Sequence, residues 1–106
     1  GISTISETVY NKNVVVKWPL IFHCIIKGTV KDTKKAIKRG ENVNCQLKFG
    51  ESPLSQAVEL DKEDQVTTLL KYNADPNLCN KDGITALHIA VMRRHSAIVK
   101  LLLVHN

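Results

Sequence analysis

The sequence predicts an all-α fold: a solenoid of about three helix-turn-helix units, with β-turn or hairpin loops projecting from one edge. Three observations carry this. The 106-residue chain matches itself at a shift of 33 residues. Within each copy, apolar residues recur three and four positions apart, which places them on one face of a helix. The composition is aliphatic, 43% apolar with only 5% aromatic, and this suits short packed helices better than an aromatic-rich β sandwich.

The period is plainest between the last two copies. Gly83 falls on Gly50, Leu87 on Leu54, Ala90 on Ala57, Val91 on Val58, Val99 on Val66, and the pair Leu102 and Leu103 on Leu69 and Leu70. A second shift gives a fainter copy, with Leu54 on Ile21, Ala57 on Cys24, Val58 on Ile25 and "NADPN" (Asn73 to Asn77) on "GENVN" (Gly40 to Asn44). Repeats of this length are single supersecondary units that stack on one another.

Each unit reads as two helices. In unit three Leu87, Ala90 and Val91 recur at helical spacing, three and four residues apart, with Leu87 at a predicted core position. Thr85 precedes them as an N-cap. In unit two Ser52 is the cap, and Pro53 sits at the first helical position, where a missing N–H costs nothing. Ile98, Val99, Leu102 and Leu103 share a face of the second helix. Gly40 and Asn73 end units one and two, and both residue types tolerate the left-handed backbone that closes a helix. A helix pair cannot bury its own apolar face, so neighbours must stack. The units span about 18–46, 47–79 and 80–106. Residues 1–17 form an N-terminal extension or cap, in which "NVVVKW" (Asn13 to Trp18) has strand-like composition. Gly1 at the start, and a last unit broken off at Asn106 with Val104 where Lys38 and Lys71 stand, lead us to expect a piece of a longer chain.

The segments "DGITALHIAVMRRHSAIVKLLL" (Asp82 to Leu103) and "NADPNLCNK" (Asn73 to Lys81) resemble the ankyrin repeat. Its pattern runs D-x-G-x-T-P-L-H, A-A, I-V-x-L-L-L and G-A-D-x-N. The resemblance covers Pro19 to Asn106, strongly in units two and three and less so in unit one. Departures are specific. Ala86 replaces the usual proline, Ser55 stands where unit three has His88, and Asp61 and Arg94 replace a common glycine. In "WPLIF" the proline, Pro19, is one position early, so a one-residue insertion or a capping variant is expected there.

The resemblance implies that the ring of His88 hydrogen-bonds beside the capping Thr85, a structural role. No metal site is expected: no CxxC exists, His88 and His95 are separated by a turn, His23 and Cys24 are expected to point in different directions, and His105 sits at a helix end. Ser52, Ser55 and Ser96 lack a nucleophile's context, and no glycine-rich phosphate loop is present. Glu59, Asp61, Glu63 and Asp64 read as a solvated helix end and loop. The chain therefore reads as no enzyme, with no cofactor.

What remains is binding: a scaffold or adaptor module for a protein partner. The resemblance places the contact positions on a concave surface of turns and first helices: Lys48, Phe49 and Glu51 in one turn, Lys81, Asp82 and Ile84 in the next, and Glu59, Leu60, Met92 and Arg93 on the helices. Phe49, Leu60, Ile84 and Met92 are apolar where solvent is expected, as at a protein contact. The alternative rests on charge. Of a net +5, the whole excess lies between Lys27 and Gly40, where six basic residues face Asp32 alone. The second helix of unit one, Lys31 to Arg39, could therefore meet anionic lipid or nucleic acid; residues 41–106 are nearly neutral, so a domain-wide nucleic-acid surface is not indicated. "LLKYNADPN" also resembles the acceptor segment of the 2-oxoglutarate-dependent asparaginyl hydroxylase that modifies ankyrin repeats, with Asn77 as acceptor and Asn44 a poorer one. Three unpaired cysteines, Cys24, Cys45 and Cys79, fit a reduced cytoplasmic or nuclear setting. No apolar run is long enough to span a membrane.

Overall fold

The computed structural model describes residues 5–11 and 14–105, with side chains from Lys17 onward; Gly1 and Asn106 lie outside the described residues. A hairpin of β1 (Ile5–Asn11) and β2 (Val14–Pro19) leads into six helices: α1 (Leu20–Lys27), α2 (Val30–Lys38), α3 (Pro53–Glu59), α4 (Glu63–Lys71), α5 (Ala86–Met92) and α6 (Ser96–Val104). The second helices α2, α4 and α6 begin 33 residues apart, and so do α3 and α5. First helices stack on first helices and second on second, so the chain is two layers of antiparallel helix pairs, the all-α helix-turn-helix solenoid expected.

Capping explains where the helices start. Ser52 Oγ accepts from Ser55 N while Ser55 Oγ accepts from Ser52 N, and Pro53 follows at the first helical position. Thr85 and His88 make the same reciprocal box on α5, and Thr29 and Asp32 make it on α2. The N-caps of the first helices are Pro19, Ser52 and Thr85, again 33 apart. Unit one therefore contains no insertion: Pro19 occupies the cap position itself, as a variant that offers no side-chain acceptor. Glu41 supplies one from the following turn, its Oε1 accepting from Ile21 N at 3.3 Å. This buried glutamate stands where unit two has the buried Ala74.

The core runs along the stack as Ile21, Phe22, Ile25, Leu54, Val58, Val66, Leu69, Ile98 and Leu102. Ala57 and Ala90 are fully buried, and their small side chains let the first helices approach closely. Leu87 departs from expectation: it is half-buried against the core, because among the described residues no helix covers it as α5 covers Leu54. Leu103 is likewise exposed, whereas its counterpart Leu70 is buried. Two polar side chains inside the stack are paired across units. Gln65 Oε1 accepts from Thr33 Oγ1 at 2.7 Å, and Lys62 Nζ donates to the carbonyls of Ile25 and Ile26, satisfying the end of α1 with a cation where the helix dipole favours one.

Four helices, α2 to α5, end through a residue at positive φ. Gly40 (φ 102) and Asn73 (φ 69) end α2 and α4, and Asp61 (φ 56) and Arg94 (φ 60) hold the left-handed conformation between helices without being glycine. The strand expected in "NVVVKW" is present as β2. Its antiparallel partner β1 is defined by pairing with β2, since "ISETVYN" carries no turn or period that marks a strand. Trp18 at the end of β2 packs its ring 6.0 Å from that of Phe22 and 6.3 Å from His23, joining the hairpin to α1.

Candidate interaction surface

The turns between units are short hydrogen-bonded loops. Leu47 N donates to Glu51 O, and Asn80 N to Ile84 O; Lys81 N donates to Phe49 O at 2.9 Å and zips one turn to the next. Gln46 Nε2 reinforces this by donating to both Gly50 O and Cys79 O at 3.0 Å. Gly50 (φ 91) sits where the turns meet: a Cβ there would lie 2.6 Å from Asn80 Cα.

This frame presents the expected contact residues in two groups. At the turn tips Phe49 is 55% exposed, with Lys48 Nζ 5.6 Å and Lys81 Nζ 5.7 Å from its ring centroid. Each cation–π contact at an exposed site contributes about 0.5–1 kcal/mol, so the ring is steadied while remaining available. Below the tips, Glu51, Glu59, Ile84 and Met92 line a cavity of about 330 Å³ between the first helices. Glu59 pairs with Arg93 across α3 and α5. Both groups are exposed, so the pair adds at most about 1 kcal/mol. Glu51 Oε1 is buried beside the cavity with no hydrogen-bond partner. Ile84 is half-buried rather than solvent-facing, because its backbone is held in the turn by Asn80. Asp82 at the turn and Leu60 at the end of α3 are exposed and do not line the cavity. Ser55, Gln56, Asn80 and Ile89 line it unannounced. Helical spacing could have found three of them: Ser55 and Gln56 lie one turn before Glu59, and Ile89 one turn before Met92.

His88 is a cap. Its Nδ1 accepts from Thr85 N at 3.0 Å and lies 2.9 Å from Thr85 Oγ1, which assigns the proton of a neutral ring to Nε2. His95 is separated from it and approaches Asp61 Oδ1 at 3.5 Å. His23 and Cys24 do not point apart: both line one cleft between α1 and α2, which is wide enough to take adjacent positions of a helix. Among the described residues no group of three or more His, Cys, Asp or Glu could hold a metal ion, and no helix is long and apolar enough to cross a membrane. The three cysteines are free. Burial pushes the Cys45 thiol up to about 11, with the Glu41 carboxylate adding to the effect. Burial also raises Cys24, helped by Asp32 and Glu41.

Asn44 and Asn77 differ. The Asn44 side chain bridges units, its Oδ1 accepting from Asp75 N at 2.8 Å. Asn77 is exposed, and its backbone N–H donates to Asp75 Oδ1.

Comparison with known proteins agrees with this architecture. A family model of ankyrin repeats in three copies matches residues 20–106. The chain is similar to the fowlpox virus ankyrin repeat protein FPV014, 38% identical over 81% of this chain and 20% of the relative. It is similar to ankyrin repeat-containing protein ITN1 of Arabidopsis thaliana, 36% identical over 77% of this chain and 14% of the relative. It is also similar to the 2-5A-dependent ribonuclease of Homo sapiens, 35% identical over 66% of this chain and 10% of that enzyme. The chain thus spans a fifth or less of the length of these relatives. With its period, caps and helix pairs all in register with the family's pattern, the chain belongs to the ankyrin repeat family.

Proposed function

We propose that the chain is a non-catalytic protein-binding module, a scaffold or adaptor that grips a protein partner on its turn-and-first-helix surface. Ankyrin repeats are in general protein interaction modules, which supports the class. The observation that carries the surface is Phe49: a large apolar ring, more than half exposed, held between two lysines above a cavity lined by Met92 and Ile84. Rigid aromatic anchors beside a pocket are typical binding hot spots. Affinity capture with quantitative mass spectrometry tests this, comparing the chain with its Phe49→Ala, Met92→Ala variant. A partner lost by the variant, at unchanged melting temperature, is the expected result; equal capture by both would place the contact elsewhere.

Three companion readings belong to it. The hairpin caps the first unit, a role supported by Trp18 packing on α1. A reduced cytoplasmic or nuclear setting suits three free cysteines. Asn77 is the candidate hydroxylation acceptor rather than Asn44, because Asn44 is engaged between turns and Asn77 is exposed. Incubation with the asparaginyl hydroxylase, iron and 2-oxoglutarate, followed by peptide mapping, should add one oxygen at Asn77; modification at Asn44 alone would reverse the assignment.

A further inference from the structure

A second cleft, of about 400 Å³, lies on the outer face of unit one between α1 and α2, apart from the partner surface. Its floor includes the small residues Cys24 and Ala36, and His23, Lys27, Lys35 and Arg39 stand around them. The repeat frame makes the composition informative. The floor positions correspond to Ala57 and Leu69, fully buried in unit two. The surrounding positions correspond to Gln56, Leu60, Thr68 and Tyr72 in unit two and to Ile89, Arg93, Leu101 and His105 in unit three.

Two effects could account for the change. A repeat face that no neighbouring repeat covers must be polar for solubility, and this explains why the apolar groups are gone. It does not explain the sign. Three of the four surrounding positions are lysine or arginine and the fourth is histidine; none is a glutamate, glutamine or serine, which would serve solubility equally. One acid, Asp32, stands on the wall as the N-terminal box partner of Thr29, its Oδ2 accepting from Thr29 N at 2.9 Å and from Thr29 Oγ1 at 3.1 Å; it stays ionised and offsets one of the three cations, leaving the wall net positive. The cations also converge. All six cations of the basic run are exposed, but Lys27, Lys35 and Arg39 line the cleft, whereas Lys31, Lys34 and Lys38 do not. A stripe along a helix suits a polymer; a ring around a hollow suits a compact anion. The volume falls within the range of small-ligand sites, about 300–1,000 Å³.

We propose that this cleft binds a phosphate-bearing small anion, with Lys27, Lys35 and Arg39 as its electrostatic clamp and His23 as a further polar contact. Arginine offers a planar fork matched to phosphate oxygens, and lysine a mobile point charge. The ligand is a free phosphate compound or a lipid headgroup, two sources of one chemistry.

Inorganic pyrophosphate is the probe, titrated at low ionic strength while backbone amide shifts are followed by NMR. Saturable shifts centred on Gly28, Lys35 and Arg39 are expected. Lys35→Gln with Arg39→Gln should weaken binding by roughly tenfold or more, the scale of losing one or two charge-assisted bonds. Lys34→Gln with Lys38→Gln removes the same charge from the same helix and should change affinity little. Sedimentation with phosphatidylcholine vesicles carrying a phosphoinositide then assigns the source: binding that needs Lys35 and Arg39 means a lipid headgroup, and none means a soluble compound. Non-saturable shifts, or equal losses in the two double variants, would reduce the cleft to diffuse surface charge and overturn the site.

Discussion

Glu41 shows how two departures from a repeat pattern make sense together. Pro19 leaves α1 without a side-chain cap, and Glu41 replaces a small buried alanine; the carboxylate fills the missing role by accepting from Ile21 N. Removing it strips an N-terminal acceptor and leaves a buried donor unpaired, so Glu41→Ala should cost about 1–3 kcal/mol in a urea melt. Glu41→Gln keeps an acceptor and should recover most of the loss; an alanine variant as stable as the parent would remove the capping role. The cysteines sort by burial in the same way. The thiolate is the reactive form, and Cys45 and Cys24 both hold their protons more tightly than an ordinary thiol while Cys79 is exposed. Iodoacetamide at mildly alkaline pH should label Cys79 well before the other two, as read by peptide mass spectrometry. Faster labelling of Cys45 would mean that its turn opens readily.

Turns are the elements on which this surface depends, and Gly50 is the most constrained point in them. Its φ of 91° is unfavourable for a residue with a side chain, and the backbone of Asn80 stands in the way of a Cβ. Gly83 repeats the φ, at 77°, but has nothing within 4 Å of a Cβ. The pair separates two costs. Gly83→Ala should lose about 1–2 kcal/mol, the left-handed backbone penalty alone. Gly50→Ala should lose more, and should also loosen the hydrogen bond from Lys81 N to Phe49 O, visible as faster amide exchange at Lys81. Equal losses would mean that the two turns do not bear on each other.

The whole molecule behaves as a stack in which a position's burial depends on which unit follows it. Leu54 and Leu87 are the same residue in the same frame, yet Leu54 is 2% exposed beneath α5 and Leu87 is only half-buried. Leu54→Ala should therefore cost about 2–5 kcal/mol, the range for a buried leucine that leaves a cavity, and Leu87→Ala distinctly less. Matched denaturant melts decide this, and a Leu87 loss as large as that of Leu54 would show that the end unit is as well packed as the interior. The same arithmetic of neighbours leaves Leu103 exposed in unit three while its counterpart Leu70 is buried in unit two.

The 33-residue period, the caps Ser52 and Thr85, the left-handed positions Gly40 and Asn73, and the small alanines Ala57 and Ala90 were legible in the chain itself, because each follows from local chemistry or from a short repeat that any stacked unit must obey. The exposed turn-tip positions Lys48, Phe49, Lys81 and Asp82 were legible too, through resemblance to a family frame. Other features needed the folded molecule. Glu41 reaches back 20 positions to cap α1. Strand β1 exists by pairing with β2. Ile84 turns partly inward, Leu87 is only half-covered, and Cys24, Lys35 and Arg39 meet around one hollow. In every one of these cases the deciding partner is distant in sequence, and a local reading of the chain carries no information about which distant side chain will be brought within a few ångströms.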